Sequence, residues 1–125
     1  MVVDDDKEMV STLRLILTMA GAEVIEAYSG MSGYIMTKRE LPDVVVLDIM
    51  MPDIDGYEVC RKLKLDPKTR HIPIIFLSAR TGQGHIERGL SLGAQGYITK
   101  PFMPSDLLTK IFEITESGDR VPRLT

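Results

Sequence analysis

Polar side chains follow four of the apolar runs in this 125-residue chain, at the point where each run ends. Three acids follow the first run, one acid follows the third, a hydroxyl ends the fourth and an amine follows the fifth: Asp4, Asp5 and Asp6, then Asp48, Ser78 and Lys100. Each alone has an ordinary structural explanation, such as a loop start, a capping hydroxyl or a solvated charge. Four such ends in one chain indicate a shared site if the fold brings them together.

Clustered carboxylates repel one another unless a cation lies between them, and their hard oxygen ligands suit Mg²⁺. Asp5 and Asp48 are the expected metal ligands. A metal-bound carboxylate beside an ammonium group and a hydroxyl suits phosphoryl transfer, because catalysis there consists of positioning and of neutralising charge on phosphoryl oxygens. In such a site Asp48 is the nucleophile.

The spacing of apolar residues predicts the elements that would position these groups. Short apolar runs alternate with segments of helical periodicity, giving five strand–helix repeats. The predicted strands are Met1–Val3, Glu23–Ala27, Val44–Leu47, Ile74–Ser78 and the "GYITK" segment at 96–100. Such alternation predicts an α/β fold with a mainly parallel sheet covered by helices on both faces. In such a sheet the carboxyl ends of all the strands lie at one edge.

The predicted helix boundaries rest on capping residues and glycines. The first helix carries Met9 to Ala20 and ends at Gly21, and the second begins at Ser29-Gly30 and ends before Pro42. Asp55 begins the third helix, with Glu58 three residues later as in a capping box. The fourth runs from about 84 to 93, and Pro104 is a first helical residue of the fifth.

Composition limits the class of protein. The length fits one domain, and 44% hydrophobic with 26% charged residues is typical of a folded globular chain. A net charge of −3 does not match the basic surface that direct nucleic-acid binding needs, and no apolar run approaches the length of a membrane span. The single cysteine, Cys60, excludes an intramolecular disulfide and favours a cytoplasmic location.

The motifs together resemble a known family, the receiver domain of two-component response regulators, including the chemotaxis regulators. The matching segments are "VVDDD" (2–6), "VLDIMMPDIDG" (46–56), "IIFLSA" (74–79), "GLSLGAQGYITKPF" (89–102) and "SDLLTKI" (105–111). The resemblance implies a single flavodoxin-like, doubly wound domain with five helices and a five-stranded parallel sheet in the order 2-1-3-4-5. We expect residues 1–117 to form it and residues 118–125 to be a tail or the start of a linker.

The resemblance also implies a role for each site residue. Asp48 corresponds to the phosphoacceptor, Asp4 and Asp5 to the Mg²⁺ acids, and Met50 to the residue whose backbone carbonyl joins the metal. Ser78 corresponds to the switch hydroxyl, Lys100 to the active-site lysine and Tyr97 to the aromatic residue whose rotamer follows Ser78. Met50 and Arg80 are expected to flank the pocket mouth, and Lys100-Pro101 is expected to be cis.

The function implied is that of a signalling switch and not of an enzyme with a turnover substrate, although the domain assists its own phosphorylation and dephosphorylation. A histidine kinase or phosphotransfer protein donates the phosphoryl group to Asp48, and a downstream effector reads the altered surface. Phosphorylation-dependent homodimers are a further expected partnership. No direct contact with nucleic acid or membrane is expected.

Two other classes of function compete with this interpretation. A phosphohydrolase with an aspartyl-phosphate intermediate needs a second acid two residues after its nucleophile, to protonate the leaving group. That position is Met50, which disfavours the hydrolase. A receiver-like module that signals without phosphate is expected to lack part of the acid, acceptor and lysine set, all of which is present here.

Overall fold

The computed structural model describes residues 1–115, which form five strands and five helices in strict alternation. The strands are β1 (Val2–Val3), β2 (Glu26–Ala27), β3 (Val45–Leu47), β4 (Ile74–Ser78) and β5 (Gly96–Thr99). The helices are α1 (Lys7–Met19), α2 (Gly30–Glu40), α3 (Gly56–Leu65), α4 (Gln83–Ser91) and α5 (Pro104–Thr115). The expected tail at 118–125 lies outside the described residues.

The five strands form one parallel sheet in the order β2-β1-β3-β4-β5. This confirms the predicted fold class and strand order. The direction in which successive strands are added to the sheet reverses at β1, since β2 lies on one side of β1 and β3 lies on the other. A ligand in such a sheet binds beyond the carboxyl ends of the strands at this point, where Asp4 and Asp48 emerge.

Helices cover both faces of the sheet, as the predicted doubly wound architecture requires. Strand residues alternate between the two cores: Val45 and Leu47 point to one face and Val46 to the other. One core receives side chains from α2 and α3, and the other receives them from α1 and α5. Because both faces are buried, the strands are apolar at nearly every position.

Local capping explains where several helices begin. The carboxylate of Asp6 accepts the backbone N–H groups of Glu8 and Met9 at the start of α1, and that of Asp55 accepts the N–H of Glu58 at the start of α3. In a capping box the Glu58 side chain would bond back to the N-cap backbone N–H. Here the Glu58 carboxylate instead accepts a hydrogen bond from the Arg61 side chain. The predicted boundaries hold to within a few residues.

Two further expectations can be compared with the structure. The Lys100–Pro101 peptide bond is cis, as the family resemblance implied. Within residues 1–115, no helix combines the length and the apolar character that crossing a membrane requires.

Candidate functional site

The topology brings the acids of β1 and β3 together. Val3 is paired with Leu47, so the next residues, Asp4 and Asp48, leave adjacent strands side by side. One carboxylate oxygen from each of Asp4, Asp5 and Asp48 lies within 4.8 Å of the others. The predicted convergence of these three acids is therefore present in the structure.

Asp6 has a different role from the other acids of its triplet. Its carboxylate caps α1, as described above, whereas the neighbouring carboxylate of Asp4 turns inward and accepts the backbone N–H of Asp6 at 2.9 Å. The sequence shows three consecutive acids and does not distinguish the helix cap from the two acids of the cluster.

Burial divides the cluster into an inner pair and an outer acid. Asp4 is 3% exposed and Asp48 is 8% exposed, whereas Asp5 is largely in solvent. The Lys100 ammonium lies 2.9 Å from a carboxylate oxygen of Asp4 and 3.8 Å from one of Asp48. The single positive charge of Lys100 is therefore shared by the two buried carboxylates, and it is closer to that of Asp4.

The pKa of Asp48 is raised from 3.8 to about 6, first by burial and second by repulsion from Asp4. Lys100 and the backbone N–H groups of Ile49 and Met50 act in the opposite direction. The Ile49 N–H donates to the Asp48 carboxylate at 2.8 Å. The buried carboxylate is thus held in place but is costly to ionise without a further cation.

The charge and chemistry of this cluster fit a divalent cation. Three carboxylates and one ammonium group leave an excess of two negative charges within a few ångströms. All the carboxylate donors are hard oxygens, which suit Mg²⁺, and the exposed side of the cluster leaves room for the water ligands that this ion retains. Asp5 and Asp48 are the acids best placed to hold it, since Lys100 already pairs with Asp4.

The remaining strand ends place a hydroxyl and an ammonium group beside the cluster. Leu47 is paired with Phe76, so Ser78 lies beyond that pair at the end of β4, next to the Asp48 loop. Ser78 is also paired with Thr99, which immediately precedes Lys100. Ser78 is fully buried, and its hydroxyl oxygen accepts the backbone N–H of Arg80 at 3.3 Å.

Tyr97 connects β5 to the loop that follows Ser78. Its ring packs against Phe76, with centroids 5.9 Å apart, and its hydroxyl donates to the backbone carbonyl of Arg80 at 2.6 Å. Desolvation raises the pKa of the Tyr97 hydroxyl. The loop, the buried hydroxyl and the aromatic ring are thus physically linked.

Met50 belongs to the loop between β3 and α3. Its side chain is 55% exposed, and the loop folds back on itself through the Gly56 N–H, which donates to the Ile49 carbonyl at 2.7 Å. A Cβ atom at Gly56 would lie 2.1 Å from the Asp48 carbonyl oxygen, so this position requires glycine. The Met50 backbone N–H interacts with the Asp48 carboxylate, so this part of the loop lies beside Asp48.

The sequence analysis missed a fourth acid of functional interest, Asp53. Its carboxylate accepts the first two N–H groups of α2, from Gly30 and Met31. The only signal in the sequence was an acid after a proline in the same loop, which does not indicate a contact with a helix about 20 residues away.

Comparison with known proteins identifies the family. Residues 1–112 match the response regulator receiver domain. The chain belongs to this family. As a receiver domain of two-component signalling, it has the flavodoxin-like fold that the sequence analysis predicted, and the positions of its acids, hydroxyl and lysine follow from that fold.

Individual relatives agree with this assignment. The receiver domain is 43% identical over 115 residues to the response regulator PleD of Caulobacter vibrioides, covering 92% of this chain and 25% of PleD. It is similar to a response regulator structure from Chloroflexus aurantiacus, with a TM-score of 0.88, 35% identity and 92% and 94% of the two chains covered.

The chain is also similar to a receiver domain whose structure contains magnesium. The receiver domain of the sensor histidine kinase PA1611 of Pseudomonas aeruginosa, with magnesium coordinated in its active-site cleft, matches with a TM-score of 0.86 and 27% identity. The match covers 93% of this chain and 95% of that one. The chain spans only about a quarter of PleD and about half of several other curated relatives.

Proposed function

We propose that this receiver domain accepts a phosphoryl group on Asp48 in a Mg²⁺-dependent reaction and thereby switches a surface that a partner recognises. The observation that carries the proposal is the placement of Asp48 within reach of two other acids and of Lys100. A carboxylate in this setting can bind a metal and can attack phosphorus.

The donor is a phosphohistidine of a histidine kinase or of a phosphotransfer protein. A carboxylate oxygen of Asp48 attacks phosphorus in line with the phosphorus–nitrogen bond, which breaks and releases the histidine side chain. The product is an acyl phosphate on Asp48. When bound by Asp5, Asp48 and the Met50 carbonyl, Mg²⁺ supplies positive charge to the phosphoryl oxygens.

The other side chains of the site stabilise the phosphoryl group without entering covalent chemistry. Lys100, 3.8 Å from Asp48, is placed to neutralise one phosphoryl oxygen while it continues to pair with Asp4. Ser78 donates its hydroxyl to another oxygen, and this requires the Ser78–Arg80 segment to move toward Asp48. These residues are catalytic or switching groups in a domain that has no turnover substrate.

The expected readout is the face formed by α4, β5 and α5, because Tyr97 and the loop after Ser78 border it. A downstream effector domain or protein recognises this face, or a second copy of the chain pairs with it on phosphorylation. We infer that the domain acts in the cytoplasm and does not itself contact nucleic acid.

Intact-mass measurement after incubation with a small-molecule phosphodonor tests the proposal. We expect the mass of one phosphate to be added when Mg²⁺ is present and no addition when the metal is chelated. The Asp6→Asn variant is a suitable control, because Asp6 caps α1 outside the cluster, and it should accept phosphate like the wild type. Absence of phosphate on the wild type with Mg²⁺ would contradict the proposal.

A further inference from the structure

The loop that carries Met50 is attached to a helix that has no other part in the site. The Asp53 carboxylate accepts the backbone N–H of Gly30 at 2.9 Å and that of Met31 at 2.8 Å. Helix α2 also has its own N-cap, Ser29, whose hydroxyl accepts the N–H of Ser32 at 3.2 Å. The first turn of α2 is thus capped twice, once locally and once from the loop.

The contact between loop and helix is close. A Cβ atom at Gly30 would lie 2.6 Å from both the carbonyl oxygen and a side-chain carbon of Ile54, so the loop backbone rests directly on the first turn of α2. The N–H groups at the start of a helix carry partial positive charge and favour an anion. Accordingly, the hydrogen bonds from Met31 and Gly30 lower the pKa of Asp53.

Packing alone holds the rest of this loop weakly. Met50, Pro52, Asp53 and Asp55 are all exposed, although Met51 and Ile54 contact the core. Asp48 at one end of the loop is buried and Gly56 at the other end is fixed by its hydrogen bond to Ile49. Between these ends, the Asp53 carboxylate, three residues after Met50, ties the loop to another element of the fold.

We propose that Asp53 is a positioning residue for the metal site: by fixing the loop to α2, it holds the Met50 carbonyl at a constant place relative to Asp5 and Asp48 and so raises Mg²⁺ affinity. The inference rests on the proposed function, since it assumes that Mg²⁺ binds here. It assigns to α2 a role in the site that its sequence gives no reason to expect. Residues that orient metal ligands commonly change affinity by 10-fold to 100-fold.

The two caps of α2 provide a matched test. Asp53→Ala removes both hydrogen bonds from the loop, whereas Ser29→Ala removes a cap from the same helix turn without touching the loop. Asp53→Asn keeps one acceptor oxygen and is a partial rescue. Mg²⁺ affinity of the whole chain is measured by calorimetry at a temperature at which circular dichroism shows each variant to be folded.

We expect Asp53→Ala to bind Mg²⁺ roughly tenfold more weakly than the wild type, Asp53→Asn to lie between them, and Ser29→Ala to match the wild type. Amide exchange at Gly30 and Met31 should be faster in Asp53→Ala. Equal Mg²⁺ affinity of Asp53→Ala and the wild type, or an equal loss in Ser29→Ala, overturns the positioning role while the proposed function stands. A wild-type chain that binds no Mg²⁺ overturns both.

Discussion

Among the residues of the site, Asp48 occupies a position that costs stability. Asp48 is nearly buried beside another carboxylate, and its pKa of about 6 means that ionisation is disfavoured in the folded state. The Lys100 ammonium compensates only part of this charge. An aspartate placed for packing alone would be solvated or fully paired, so the arrangement is better explained by a ligand that binds here.

The same pKa gives a prediction for stability. Because the folded-state pKa of Asp48 lies above the ordinary value of 3.8, the folded state takes up this proton more readily than the unfolded state. This group therefore destabilises the fold above pH 6, and the penalty is relieved as the pH falls through about 6 toward 4. We expect Asp48→Asn to raise the free energy of unfolding at pH 7.5 by on the order of 2 kcal/mol, and by much less at pH 4.5.

Urea denaturation without Mg²⁺ at the two pH values measures this difference. Asp5→Asn is the control, because Asp5 is exposed and its removal should change stability less. A variant no more stable than the wild type at pH 7.5, or one with the same advantage at both pH values, would contradict the assigned environment of Asp48.

The lifetime of the phosphoryl group depends on whether a water molecule can reach phosphorus. Hydrolysis needs a water in line with phosphorus, and the methionine at position 50 cannot orient one, while the half-buried Arg80 donates hydrogen bonds but cannot act as a base. We expect Met50→Asn combined with Arg80→Glu to speed phosphate loss roughly tenfold, equivalent to about 1.4 kcal/mol of barrier. Time courses of phosphate release measure this, and identical decay in the variant and the wild type would show that these side chains do not control water access.

At the scale of elements, the switch depends on how α4, β5 and the loop between β4 and α4 are joined. The Tyr97 hydroxyl donates to the Arg80 carbonyl and so links β5 to this loop. Gly89 of α4 packs against the rings of Phe76 and Tyr97. A Cβ atom at this position would lie 2.9 Å from the Phe76 ring and 3.2 Å from the Tyr97 ring. Movement of Ser78 toward a phosphoryl group therefore acts on the loop, the ring and the helix together.

We expect a non-covalent phosphoryl mimic with Mg²⁺ to shift the NMR signals of Arg80, Tyr97 and α4 residues. A ligand changes a conformational equilibrium only if it contacts the two states differently, and Ser78 supplies that difference here. Ser78→Ala should greatly reduce the shifts around Tyr97 while those at Asp48 remain. Unchanged Tyr97 signals in the wild type with the mimic bound would rule out this switch.

The elements themselves were largely predictable from the sequence. Strands β1, β3 and β4 are apolar runs, and α1, α3 and α5 show helical periodicity, so these local patterns agree with the fold. Helix α1 begins two residues before Met9 because Asp6 supplies its cap, and β2 is shorter than the predicted Glu23–Ala27. The contact of Asp53 with α2 was not predictable, because it joins residues distant in sequence and depends on how one loop rests on a helix.

At the scale of the whole molecule, binding at the cluster is coupled to folding. The three acids lie after β1 and β3 and come together only in the folded chain, so we expect bound Mg²⁺ to stabilise the folded state alone. We expect Mg²⁺ at about 100 times its Kd to add about 2.7 kcal/mol to the free energy of unfolding, and Asp5→Asn to lose most of this gain. Thermal unfolding with and without Mg²⁺ measures it, and an equal gain in Asp5→Asn would place the metal elsewhere.

Borohydride trapping identifies the aspartate that carries the phosphoryl group, which we propose to be Asp48. An acyl phosphate is reduced by borohydride to the alcohol, so the acceptor aspartate becomes homoserine and can be located by peptide mass spectrometry. After treatment with a phosphodonor and Mg²⁺, we predict homoserine at position 48 and none at Asp4, Asp5 or Asp53. Homoserine at another aspartate, or a phosphorylated chain with no reducible aspartate, would contradict the account.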